Sequence, residues 1–188
     1  MKNSTPKALR SLPLAIFLSV VAMIAVGLAT IFFEYLIPGT AWAKLSEYQR
    51  INFNNPALYQ SHYYLQLSQI TNMQDWAIFT PISYLVGGLV FGWQIPRWGT
   101  RPKLVIAAIT VPVCLSLVAL GLSFIGSYVQ AKVSLSPDYN MPFPTLTTHF
   151  IEMGSFQSAY WTLVYIIGSI AGDAARKSAE AKSKALTA

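Results

Sequence analysis

His149 and Glu152 stand three residues apart, so on a helix they would share one face. His62 and Glu34 are two more groups of the same kind, and a chain that weaves through a membrane would bring them to the same side. Two imidazoles and two carboxylates form a ligand set that zinc or iron accepts. The four come from separate segments, however, and water or lipid headgroups ordinarily satisfy isolated polar residues in interfacial loops. No metal site is expected from them. A bis-histidine haem has less support still, because neither histidine lies in an apolar run.

Other chemistry has little to rest on. There is no Gly-x-Ser-x-Gly nucleophile elbow, and no glycine-rich loop of the kind that cradles phosphate. Cys114 is the single cysteine, so an intramolecular disulfide and a dithiol redox pair are both excluded. We expect no catalytic residues and no enzymatic activity.

The elements that would position these groups are long and apolar. The chain has 188 residues, of which 54% are hydrophobic and 11% charged, whereas a soluble domain is about a quarter charged. No charge occurs from Ser11 to Phe33, from Trp76 to Pro96, from Leu104 to Ala131 or from Met153 to Gly172. Since about 20 apolar residues span the hydrocarbon core of a bilayer, each run qualifies as a transmembrane helix. The expected fold is an all-α integral membrane protein with four spans at 12–37, 76–95, 104–130 and 154–172. Outer loops would occupy 38–75 and 131–153, and a tail 173–188, in one polytopic domain.

The net charge of +6 follows from topology. Lys2, Lys7 and Arg10 precede the first span, Arg97, Arg101 and Lys103 fill the turn between spans two and three, and Arg176, Lys177, Lys182 and Lys184 follow the fourth. Only Lys44, Arg50 and Lys132 fall on the other side. This is the positive-inside pattern, and it places both termini in the cytoplasm, as for a bacterial inner-membrane protein. Nucleic acid is not an expected partner; membrane lipids are. Ala41-Trp42-Ala43 before Lys44 has the small-x-small form that signal peptidase favours. The apolar run before it is longer than the ~7 to 15 residues of a signal core, so we read it as a retained span.

Between the spans, Thr40 to Arg50 predicts a short helix, and Asn55-Pro56 an N-cap with proline at the first helical position. Ala57 to Ile70 would then form an interfacial helix bearing Tyr59, Tyr63 and Tyr64. Trp42 and Trp76 suit an aromatic belt. Pro137-Asp138, Asn140, Pro142 and Pro144 predict an irregular second loop with a short helix near Thr148. Gly88-x-x-x-Gly92 and Gly168-x-x-x-Gly172 predict close helix packing, because small residues four apart let backbones approach where no hydrophobic effect drives association. Pro112 predicts a kink in the third span.

Gly92-Trp93-Gln94-Ile95-Pro96-Arg97-Trp98-Gly99-Thr100-Arg101 resembles the cytoplasmic motif between spans two and three of major facilitator transporters. Gly92, Arg97, Gly99 and Arg101 match it. Pro96 replaces an acid and Thr100 an arginine, and four spans stand where that family has twelve. The match covers ten residues, any basic turn with glycine comes close to it, and we assign it to chance.

Function is read from what the spans lack. No ionisable residue lies deep in any of them, which disfavours proton relays and ion paths. Thr80, Ser83, Thr110, Ser116 and Thr162 are too sparse to line a channel. The outer aromatic residues read first as interface anchors and second as a surface for a partner protein, a lipid or a quinone- or pigment-like ligand. The expected role is therefore an accessory or stabilising subunit that associates with other membrane subunits or with itself. The alternatives are a small immunity or exclusion protein, or a small transporter or channel.

Overall fold

The computed structural model describes residues 12–52, 61–95, 100–134 and 143–187, and every regular element among them is helical. In chain order these are α1 (Leu12–Leu36), α2 (Ala41–Ile51), α3 (His62–Gln74), a π-helical turn (Asp75–Phe79), α4 (Thr80–Gln94), α5 (Pro102–Ser134) and α6 (Phe143–Thr187).

Among the described residues three helices are long and apolar enough to cross a membrane: Leu12–Leu36, Ala77–Gln94 and Pro102–Leu122. The fourth expected span, 154–172, is not among them. The stretch 154–172 falls short because Ser155, Gln157, Ser158, Tyr160, Thr162 and Ser169 thin its apolar content. Packing gives the physical reason: Ser158, Trp161, Tyr165 and Ser169 are buried against protein. A helix surrounded by helices need not be apolar on every side.

The loops are also more helical than expected. α5 continues to Ser134 and α6 begins at Phe143, so little of the predicted irregular segment 131–153 is irregular among the described residues. Pro144 falls in the first turn of α6, where the missing N–H would have had no partner anyway. At the other end α6 runs through the tail to Thr187. Good helix formers and the pairs Asp173–Arg176, Asp173–Lys177 and Arg176–Glu180, at 2.5–2.7 Å, support it. Between α1 and α2 the chain turns sharply. Gly39 has φ of 91°, a left-handed conformation that glycine adopts without steric cost. Thr40 caps α2 by accepting from the Ala43 N–H at 3.2 Å, and its hydroxyl reaches back to the carbonyls of Glu34 and Ile37. The second loop helix, expected at 57–70, is His62–Gln74. Asn55, Pro56 and Tyr59 lie outside the described residues.

α4 is the axis of the bundle, with α6 along one side and α1 along the other, while α5 joins chiefly through α6. α1 runs antiparallel to α4, with Ser19 at Gly87 and Gly27 near Ser83. α6 runs parallel to α4: Tyr84 lies on Trp161, Phe91 on Tyr165, and Gly172 against Leu89. The core consists of Ala15, Met23, Tyr84, Phe91, Ile95, Leu104, Ala108, Trp161 and Tyr165.

Candidate functional site

The closest contact in the molecule is the seam between α4 and α6. A β-carbon added to Gly88 would overlap the carbonyl oxygen of Tyr165, and one on Gly92 the carbonyl oxygen of Ser169. The relation is reciprocal, since Gly168 faces the carbonyl of Leu85 and Gly172 that of Leu89. All four glycines named from the sequence thus meet within one chain, backbone to backbone. Their closeness lets neighbouring side chains interlock across the seam.

Hydroxyl groups tie this seam to the flanking helices. Ser19 of α1 donates to the Gly87 carbonyl at 2.8 Å, and its oxygen lies 2.8 Å from the Tyr165 hydroxyl. With its proton on Gly87, Ser19 is the acceptor and Tyr165 the donor. On the far side Ser116 of α5 donates to the Pro112 carbonyl at 2.7 Å and receives the Tyr84 hydroxyl at 3.0 Å. Pro112 is itself buried inside α5, where it lacks the N–H that would bond the Ala108 carbonyl. Ser19, Ser116 and Tyr165 are all fully buried. A buried polar group is tolerated when its bonds are satisfied, and each of these is.

A cavity of about 480 Å³ opens where the C-terminal end of α1 meets α2 and the π-helical turn. Tyr35, Trp42, Phe79, Asp75, Thr30 and Ser83 line it. The rings of Tyr35 and Trp42 lie 5.4 Å apart at 31°, and Trp42 Nε1 donates to Asp75 Oδ1 at 3.3 Å. Burial pushes the Asp75 carboxyl above its ordinary value of 3.8, and the Trp42 hydrogen bond only partly offsets this. Glu34, next to Tyr35, is 7% exposed, and its Oε2 has no hydrogen-bond partner.

Among the described residues no group of three or more His, Cys, Asp or Glu could hold a metal. His62 opens α3 on the surface, its Nε2 2.9 Å from Gln66 Nε2. The side chains of His149 and Glu152 lie outside the described residues, as does Arg97. Arg101 and Lys103 are exposed at the start of α5.

Sequence reading passed over Asp75, Tyr35, Ser19 and Tyr165. Ser19 carried a usable signal, being a hydroxyl in the middle of an apolar run. Asp75 carried none, because a lone acid beside a span reads as an ordinary loop charge. No family model, curated protein or solved structure matches the chain.

Proposed function

We propose that the chain is an integral membrane protein of four spans that works by contact, as an accessory or stabilising subunit of a larger membrane complex. The reading takes its architecture from the parallel α4–α6 pair. Residues 161–172 lie beside residues 84–93 in the same direction, so a membrane crossed by α4 is crossed by α6 at the same depth. The fourth span then needs no apolar face of its own beyond Phe156, Leu163, Ile167 and Ile170, which point outward. Arg101, Lys103, Arg176 and Lys177 gather where α4 ends, and Glu34 and Asp75 at the opposite end. The positive-inside rule makes the former cytoplasmic.

The observation that carries the contact role is the outward face of α1. Leu14, Phe17, Val21, Ile24, Leu28 and Phe32 follow each other at spacings of three or four, and each is 44–63% exposed. The opposite face, with Ala15, Ser19 and Met23, is buried in the bundle. A continuous bulky stripe of this kind packs against lipid and against helices of partner subunits, and its grooves suit a bound lipid or a quinone- or pigment-like molecule.

Purification of the tagged protein from its native membrane in mild detergent, with identification of what accompanies it, tests the reading. Stoichiometric membrane subunits are the expected result. A lone protein or a homo-oligomer would overturn the accessory role in favour of exclusion or transport.

A further inference from the structure

We propose that the cavity between α1, α2 and the π-helical turn binds an organic ammonium group, held against the rings of Trp42, Tyr35 and Phe79 by the carboxylate of Asp75. Its volume, about 480 Å³, falls in the ~300–1,000 Å³ range of small-molecule sites. Tyr35, Trp42 and Phe79 border the cavity, and an aromatic ring, tryptophan's most strongly, attracts a cation placed over its face within about 6 Å of its centre.

The Asp75 carboxylate favours a cation over a neutral molecule. Two of the hydroxyls that line the cavity are already committed: Thr30 donates to the Gly27 carbonyl at 2.8 Å and Ser83 to the Phe79 carbonyl at 3.2 Å. The acceptors are in surplus. Asp75 takes one donor, Trp42, where a carboxylate offers about four acceptor sites. No Lys or Arg among the described residues forms an ion pair with Asp75. A half-buried carboxylate with no cation beside it is an electrostatic deficit. A ligand with a positive charge, N–H donors or methyl groups for the rings, and a small apolar body would fill it. Ethanolamine and choline groups have that chemistry, whether free in solution or on a phospholipid.

The test uses the full chain, purified in an uncharged detergent and titrated by calorimetry with choline, with ethanolamine and with 3,3-dimethyl-1-butanol, the neutral carbon isostere of choline. Saturable binding of choline or ethanolamine is expected, with the isostere at least about tenfold weaker, a step of 1.4 kcal/mol. Asp75→Asn should lose about tenfold or more. Trp42→Leu keeps the carboxylate and should lose a comparable amount, so the outcome does not hang on one variant. No saturable binding of either amine, equal binding of the neutral isostere, or unchanged affinity in both variants would overturn the proposal. Nanodiscs separate the two sources. If a lipid headgroup is the occupant, choline binding seen in pure phosphatidylglycerol should vanish when phosphatidylcholine is added; if a free amine is, binding should be equal in both.

Discussion

Gly88 of α4 lies directly against the carbonyl oxygen of Tyr165 of α6, with no room for even one carbon atom between them. Ser169 N is 3.0 Å from where that carbon would stand. Both obstacles are backbone, which cannot rotate away as a side chain can. Gly88→Ala and Gly168→Ala should therefore destabilise the bundle at or above the top of the ~1–3 kcal/mol range for overpacking. Gly121→Ala, whose added carbon meets nothing within 4 Å, should be neutral or up to ~1 kcal/mol stabilising through helix propensity. Denaturation of the three variants in detergent checks the ordering.

Ser19 and Tyr165 form an unequal pair. Removing the Tyr165 hydroxyl leaves Ser19 bonded to Gly87, whereas removing the Ser19 hydroxyl strips a buried phenol of its acceptor. Ser19→Ala should cost about 1–3 kcal/mol, and Tyr165→Phe only about 0.5–1.5 kcal/mol. The reverse order, measured in the same unfolding assay, would mean that the phenol finds another partner.

The two ends of the bundle should respond to pH in opposite directions. For Asp173, burial pushes the carboxyl up, but the hydrogen bonds and charges of Lys177 and Arg176 outweigh it and the pKa falls below 3.8. That stabilisation is present above pH 3.8 and is lost as pH falls through the lowered value. Asp75 is raised, so the folded chain binds its proton more tightly than the unfolded one. Stability declines as pH rises from 3.8 through the raised value, and the cost remains at neutral pH. Asp75→Asn, with no ammonium ligand present, should therefore raise the melting temperature at pH 7, and Asp173→Asn should lower it. Melting curves at pH 4 and pH 7 read both signs.

Reporter fusions at Asn54 and Ala188 give the topology. Opposite sides are expected, with Ala188 cytoplasmic. The same side for both would mean that the number of crossings between them is even rather than three.

Much of the fold was legible because charge and length carry it. Long uncharged runs mark α1, α4 and α5, and Thr40 before Ala41 marks the start of α2. The fourth run was legible as a helix but misleading as a lipid-facing one. Trp161, Tyr165 and Ser169 earn their places by packing against α4, and hydropathy does not record which neighbour a residue has. The turn former Pro144 predicted a loop, yet proline in a first turn starts a helix as readily as it ends one; Pro137, Asp138, Asn140 and Pro142 lie outside the described residues. The cavity was hidden for a different reason. It joins Tyr35, Trp42 and Asp75 across two turns of chain, and no local spacing announces that meeting.

α3 passes into α4 without interruption, from His62 to Gln94, through the π-helical turn at Asp75–Phe79. At 1.5 Å per residue this is a stiff rod of about 50 Å. A π turn is the one place where such a rod carries an extra residue per turn and can change its winding. Asp75 and Phe79, the two ends of that turn, are also part of the cavity wall. A substitution in that turn therefore bears on the cavity wall and on the register between α3 and α4 at once.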